Sequence, residues 1–567
     1  MLIYSLIFAC SSDNKLQEVG VNSDDIVYEL NIASPTYGEY HGDGPIPVTG
    51  TVSPADAKLF IEGVLVEAAD DGSFSLDVPF VKEYEIVEVT VPDGELRERI
   101  PVFAGQPAVD TWPGGMSARL LQPGMDIIGE NLGAMVDEIG WAEQISLSLP
   151  TADWGWIGFT PVGVVNDPTV VAMTGAEDGL AVDFSLRGVG VQYELWYYDW
   201  NQQMVVEPMS LVFDEIAIGA TAVPNMDENG VLIFSLTDAD LTMGAPDVQI
   251  GQLQGWVLEW IMQQGFNWIV EPLSETLLTS ILDGIGELEI GGPFEFSSDL
   301  MGAEVSINLD DVYGDPDGLA LSIGMEFGEL ISSNGNSVVV PNAADAPDAQ
   351  MAVGIHEGLF QTLLNDQLLG MLDQDLDFGG MIGGIIGASI LNLPGGDQAP
   401  DALEGWCVEI SPGTATAVRM QTGIEPLAYL YIPDLKFEVG MKSGPMCDTW
   451  LSASLAAEVG MVVRDGSKLG IDLEIAEGAI LYYGADDVDE EEILPALSGL
   501  VQTMMGLLGG MAEFDLADML GAGSSTGAGI PMSDLSIQIL DSQPLHDASG
   551  ETVDGLYSLS IDLWATE

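Results

Sequence analysis

Basic side chains are nearly missing from this chain. Twelve Lys and Arg stand against 91 Asp and Glu in 567 residues, a formal net charge of −79. Such a surface repels a phosphate backbone, which excludes nucleic acid as a partner, and it also repels a bare anionic bilayer. Its plainest role is to keep an apolar-rich protein in solution; cation binding is the alternative. Only three cysteines occur, with no Cys-x-x-Cys and no His/Cys cluster, which argues against structural zinc. No segment reaches the ~18–20 uninterrupted apolar residues that a spanning helix needs. The nearest, Phe378–Leu393, is too short and rich in glycine. Hydrophobic residues nevertheless make up 47% of the chain, enough for large cores and against global disorder.

The chain opens Met-Leu-Ile-Tyr-Ser-Leu-Ile-Phe-Ala-Cys. Ile7-Phe8-Ala9-Cys10 resembles a bacterial lipobox, whose cysteine is acylated and becomes the new N-terminus. No Lys or Arg precedes the short apolar run, and Phe8 is unusual at its place. The resemblance implies a signal over 1–10, lipid attachment at Cys10, a flexible tether over 11–35 and an outer-membrane anchor. In an exported protein the remaining pair, Cys407 and Cys447, reads as a disulfide. Closing that loop would be worth roughly 3–4.5 kcal/mol in the chain-entropy model. Two free buried thiols are the alternative.

Residues 36–106 read as short strands split by turns. Gly50-Thr51, Lys58 to Gly63 and Asp71-Gly72-Ser73-Phe74 follow one another at regular spacing. This order resembles the glucodextranase B-like immunoglobulin-like modules of bacterial surface proteins, although Lys82-Glu83-Tyr84 replaces the usual Gly-x-Asn. The resemblance implies a spacer.

Beyond the linker at 110–115 the dominant signal is helical. Leu121, Met125, Ile128, Leu132, Met135, Val136 and Ile139 mark one helix face. Further apolar helices are predicted at about 252–282, 357–372 and 493–511. First to third and second to fourth repeat at roughly 240 residues, as an internal duplication would. Between them apolar residues alternate strictly: Val182, Phe184 and Leu186, then Val189 and Val191 after a bulge at Gly188; Leu319 to Phe327; Leu435 to Met441; Leu469 to Ile475. Alternation of this kind means antiparallel sheet with one covered face.

Helix, about 110 residues of antiparallel strand, helix, and the same again resembles the tubular lipid-binding superfamily of bactericidal/permeability-increasing protein. Ser117 to Met125, Gly354 to Phe360 and Pro426 to Met441 carry the likeness. The strong acidity departs from the family's basic animal members. The expected fold class is α+β. An N-terminal immunoglobulin-like β-sandwich over 36–106 precedes two tandem lobes of curved antiparallel sheet wrapped on long apolar helices. The lobes lie at 110–290 and 351–567, with a central connecting sheet over 291–350.

The resemblance implies apolar grooves that hold acyl chains. Met125, Ile128, Leu132, Met135, Trp256 and Trp260 are the expected lining of the first lobe, and Leu363, Leu368, Met504 and Leu508 of the second. The expected partners are lipids, and a membrane through the anchor, with no cofactor and no metal. A non-catalytic lipid-binding or lipid-transfer lipoprotein of the bacterial envelope is the leading function. A surface adhesin or carbohydrate-binding protein is the alternative.

Other motifs read as ordinary structure. Gly523-Ser524-Ser525-Thr526-Gly527 matches a nucleophile elbow, but its flanks are flexible linker and His546 follows too closely for a triad. Asn225 to Gly230 begins like a calcium loop, yet Leu236 stands where the bidentate acid belongs, so a hairpin turn is expected. Asp486 to Glu492 suits a helix N-terminus. Gly379, Gly383 and Gly387 form a small-residue stripe. Trp196, Tyr197, Tyr198 and Trp200 flank a turn, placed either for sheet packing or for a membrane interface.

Overall fold

The structure is a computed structural model of the whole chain. It describes residues 27–42, 44–94, 96–105, 116–138, 140–226, 232–251, 274, 277, 288–290, 295–300, 303–327, 330–331, 339–358, 361, 406–413, 416–443, 446–464, 466, 468–484, 490–509, 514–515, 538–547 and 549–563. The chain divides into two compact units, Met1–Pro107 and Ala108–Glu567.

The first unit is a β-sandwich. Strands Glu29–Ser34, Ile46–Ser53 and Ser73–Val78 form one sheet. Glu39–His41, Leu96–Ala104, Tyr84–Val91, Leu59–Ile61 and Val64–Val66 form the other. Val48, Phe74, Val87 and Val102 share one core between the sheets. Gly72 makes the predicted turn at φ 82°, and a Cβ there would meet Val52 O at 2.4 Å. Glu29–Ser34 lies inside the 11–35 stretch expected to be a tether. Its alternating Leu30 and Ile32 pack on the core, which is why it pairs as a strand.

Among the described residues the second unit holds three antiparallel sheets. The first runs Ala152–Asp153, Ile157–Val165, Gly179–Tyr198, Met204–Met226, Leu232–Met243 and Leu288–Ile290. Val170–Ala176 also pairs with Gly179–Tyr198, and Asp247–Ile250 with Met204–Met226. The third sheet runs Trp406–Pro412, Ala428–Ser443, Met446–Arg464, Lys468–Tyr483 and Phe514–Asp515, with Ala417–Met420 beside Ala428–Ser443.

Between them, the central sheet interleaves distant segments in the order Glu295–Leu300, Ala303–Asp315, Gly318–Phe327, Met116–Leu120, Met351–His356, Thr552–Asp562 and Gln538–His546. Its strand register sorts the faces. Met116, Ala118, Leu120, Val353, Ile355, Leu559 and Ile561 face the main core. The other face carries Ser117, Arg119, Ala352, Gly354, Ser558 and Ser560, all small or polar. There the segment around 339–341 lies close, with Val339 O accepting the Ser117 hydroxyl at 2.9 Å and Pro341 O accepting Arg119 Nε at 2.6 Å. Buried Arg119 also pairs with Asp315.

The expected α+β class is corrected. Of the described residues 64% lie in strands and 13% in helices, and the sheets curl rather than wrap on long apolar helices. The described helices of more than one turn are α1 (Gln122–Glu138), α2 (Trp141–Ser148) and α3 (Glu490–Gly509). The helix expected at 252–282 lies outside the described residues apart from 274 and 277, and that at 357–372 apart from 357, 358 and 361. Length explains the correction. A 17-residue helix such as α1 spans about 25 Å, whereas a 20-residue strand such as Gly179–Tyr198 runs about 65 Å. A helix can therefore cover only part of such a strand, and the sheet's own curl must enclose the rest of its apolar side. Helical periodicity reveals that a helix exists but not how much sheet it leaves uncovered.

Candidate functional site: two apolar sheet faces

The inner face of the first sheet follows from alternation. Leu180, Val182, Phe184 and Leu186, then Val189, Val191, Tyr193, Leu195 and Tyr197, are all buried in one core. The phase changes at Gly188, at φ 59°. The expected bulge is not there. Arg187 pairs with Glu215 and Val189 with Phe213, so the register continues and both strands change phase together. The inner residues of the partner strand accordingly pass from Leu211 and Phe213 to Ile216 and Ile218.

α1 closes one side by close backbone approach. A Cβ on Gly129 would meet Val171 O at 2.5 Å, and one on Gly133 would meet Thr169 O at 2.4 Å. Gln122 Nε2 donates to Met173 O at 2.8 Å. In the other curled sheet, Leu435, Phe437, Val439, Leu455 and Val459 line the inner face, with Leu497 and Val501 of α3 in the same core.

Each face is sealed in the middle and half-covered toward one margin. In the first sheet Leu236, Leu241 and Met243 are partly buried opposite Ala222, Ile218 and Ile216. Val248 and Ile250 continue this margin opposite Leu211 and Met209. In the other sheet Leu473 and Ile475 hold the same position opposite Val459 and Ala457. These margins carry apolar side chains that the core covers only in part.

The expected lining residues fare differently. Met125 and Leu132 are 1% and 5% exposed, packed in core rather than facing a groove, while Ile128 is partly buried against that core. The side chains of Met135, Met504 and Leu508, and all of Trp256, Trp260, Leu363 and Leu368, lie outside the described residues. Strand positions at the margins were missed because their alternation breaks. Leu232, Phe234 and Leu236 share one parity, whereas Leu241 and Met243 share the other. A register shift around Asp238, at φ 52°, moves them all to one face. Two acids within that stretch also disguise it as a turn.

Polar groups on these faces are few. Tyr193 packs edge-on against Phe159, with ring centroids 6.2 Å apart. Its buried hydroxyl has no hydrogen-bond partner among the described residues, and burial pushes the phenol's pKa up. On the opposite face of the other sheet, Asp434 accepts the Ser454 hydroxyl at 2.6 Å, and burial raises its carboxyl.

The histidines serve local structure. His41 Nε2 lies 3.2 Å from Pro45 O, His356 Nδ1 accepts the Gly358 N–H at 3.0 Å, and His546 Nδ1 lies 3.0 Å from Asp345 Oδ1. Glu357 pairs with Arg419 at 3.2 Å. The Asn225–Gly230 segment joins two strands paired through Met226 and Leu232, as a hairpin does. Among the described residues no three His, Cys, Asp or Glu side chains gather as a metal site, and no helix is long and apolar enough to cross a membrane. Gly523–Gly527, Gly379–Gly387 and Cys10 lie outside the described residues. The side chain of Cys447 is outside the described residues.

No family model matches the chain, and no curated protein is similar to it in sequence. A solved structure, lipopolysaccharide-binding protein, superposes with a TM-score of 0.51 at 12% identity. It covers 80% of this chain and 100% of its own. The two proteins share a fold. At the level of the fold this agrees with the resemblance read from the sequence. Takeout 1 of Epiphyas postvittana matches at 16% identity over 29% of this chain and 88% of its own, with a TM-score of 0.20. P47 of Clostridium botulinum E1 matches at 9% identity over 80% and 100%, with a TM-score of 0.25.

Proposed function

We propose that this chain is a non-catalytic lipid-binding or lipid-transfer protein of the bacterial cell envelope. The observation that carries the reading is the half-covered apolar margin on the inner face of each curled sheet, at Leu241 and Met243 in one and Leu473 and Ile475 in the other. Seating an acyl chain there removes its CH₂ groups from water at about 0.8 kcal/mol each, and needs no polar chemistry. The solved structure that shares the fold is named for binding lipopolysaccharide, which supports a lipid ligand. Charge sets a difference. No Lys or Arg occurs between Arg187 and Arg419, so that long span offers no cation to an anionic head group. Along that span recognition runs through acyl chains.

Organic extraction of purified full-length protein, read by mass spectrometry, tests this. Acyl lipid is expected in near-stoichiometric amount. Protein that carries none, and takes none up from lipid dispersions, would overturn the proposal.

Two further parts belong to the same reading. Cys10 carries the lipid anchor, and a Cys10→Ala protein should no longer label with a clickable palmitate. Cys407 pairs with Cys447, so neither should react with maleimide in denaturant before reduction.

A further inference from the structure

Two turns at one end of the first sheet carry large apolar side chains into solvent. Ala152–Asp153 passes through Trp154 and Trp156 into Ile157–Val165, and Gly179–Tyr198 passes through Trp200 into Met204–Met226. The turns are neighbours. Tyr198 N–H donates to Trp156 O at 3.0 Å, and Gly158 pairs with Trp196 in the ladder. Exposure is 40% at Trp154, 37% at Trp156, 43% at Tyr198, 78% at Trp200 and 61% at Met204. Trp196 and Tyr198 meet edge-on at 6.2 Å, and Val206, 49% exposed, pairs with Trp196.

The turns are built to hold this arrangement. The Asp199 carboxylate accepts the N–H groups of Asn201 and Gln203, both at 2.8 Å, and Asp199 N–H donates to Gln203 O at 3.0 Å. Asp153 Oδ1 accepts Gly155 N–H at 2.7 Å. These bonds hold the turn backbone, while Trp154 leans edge-on against buried Phe159 at 5.8 Å and still leaves 40% of its surface exposed. Single exposed apolar side chains need no explanation, but several gathered on two adjoining turns, with Trp196, Tyr198, Met204 and Val206 on one sheet face, mark a partner surface.

The chemistry names the partner. Trp and Tyr are the side chains that settle at a bilayer–water interface, with apolar body below and polar edge in the head groups. The carboxylates here are Asp153, Glu194, Asp199 and Glu207, and no Lys or Arg lies between Arg119 and Arg187 or between Arg187 and Arg419. An anionic leaflet would be repelled, whereas a zwitterionic one would not. The same strand turns Leu195 and Tyr197 into the apolar core, so the patch adjoins the inner face. We propose that this aromatic end of the first sheet docks the protein on a zwitterionic lipid bilayer. Docking itself stands on the exposed rings. Its use, passing lipid to or from the inner face, rests on the lipid-binding reading above.

Flotation of the full-length protein with phosphatidylcholine vesicles tests it, beside vesicles enriched in phosphatidylglycerol. Wild type should float with the first, with a blue shift in tryptophan emission, and more weakly with the second. Trp154→Ser/Trp200→Ser should lose about tenfold or more in partition, its melting temperature being read alongside because Trp154 touches buried Phe159. Should the double variant melt lower, Trp200→Ser alone serves, since that ring is the most exposed.

A variant that partitions like wild type overturns the proposal, as does preference for phosphatidylglycerol. If sedimentation velocity shows that the substitutions abolish self-association and leave flotation untouched, the occupant is a second copy and the proposal falls. Co-purified lipid is read separately. Its absence from both proteins, with wild-type flotation intact, defeats the acyl-chain reading and not the docking.

Discussion

The Asp137 carboxylate takes both donors of Thr169, the backbone N–H at 3.0 Å on Oδ2 and the hydroxyl at 2.5 Å on Oδ1. An acid near a helix C-terminus opposes the helix dipole, so its place at the end of α1 is explained by this tie and not by helix preference. The bond fixes the end of α1 to the residue just before Val170–Ala176. Asp137→Ala removes two hydrogen bonds to a charged acceptor and should destabilise the second unit by roughly 1.5–3 kcal/mol. Urea unfolding checks this. A change within about 0.5 kcal/mol would show the tie to be idle.

Two glycines on helices should respond in opposite directions to the same substitution. Helix propensity alone favours Ala over Gly by up to about 1 kcal/mol at either place. At Gly133 the new Cβ would meet backbone Thr169 O at 2.4 Å, so α1 must move off its strand. Overpacking of that kind costs roughly 1–3 kcal/mol, so Gly133→Ala should lower the melting temperature. At Gly499 in α3 nothing lies within 4 Å, so Gly499→Ala should raise it. Equal effects of one sign would refute the close approach.

What the sequence made legible follows from which patterns are local. α1 was legible because its face recurs within single turns, and the long strands because Val182–Leu186 and Leu435–Met441 alternate. The central sheet was not legible in detail. Met116–Leu120 is sandwiched between Gly318–Phe327 and Met351–His356, and Arg119 meets Asp315 across a sequence separation of 196 residues. No periodicity encodes such a neighbour. The half-covered margin was hidden by the parity change around Asp238. Met125 and Leu132 are apolar and buried, but a pattern cannot tell a packed position from a vacant one.

Asp434 should make stability depend on pH in a stated direction. Burial raises its carboxyl, while the Ser454 hydrogen bond and the Lys436 charge pull it down less strongly. The folded state therefore holds this proton to higher pH than the unfolded state does. The stability from this group is full below the ordinary Asp value of about 3.9 and is lost as pH rises through the folded value. Asp434→Asn keeps an acceptor for Ser454 and cannot ionise. Its stability relative to wild type should improve between about pH 4 and pH 7. Urea midpoints at both pH values decide it, and a constant difference would count against the raised carboxyl.

Two tryptophan substitutions separate packed core from lipid surface in the first sheet. Leu132 is 5% exposed and sits in the main core. Leu132→Trp should cost roughly 1–3 kcal/mol through overpacking. Leu241 is partly buried at the margin, opposite Ile218. A partly exposed side chain can extend toward solvent, so Leu241→Trp should stay within about 0.5 kcal/mol of wild type. It should nonetheless carry less co-purified lipid, because the indole occupies surface that an acyl chain would cover. Melting temperature and extracted lipid are measured together for both variants. If Leu241→Trp keeps its full lipid content, that margin is not where lipid lies. If Leu132→Trp keeps its stability, α1 covers a cavity rather than a packed core, and the lining expected from the helix face alone regains its claim.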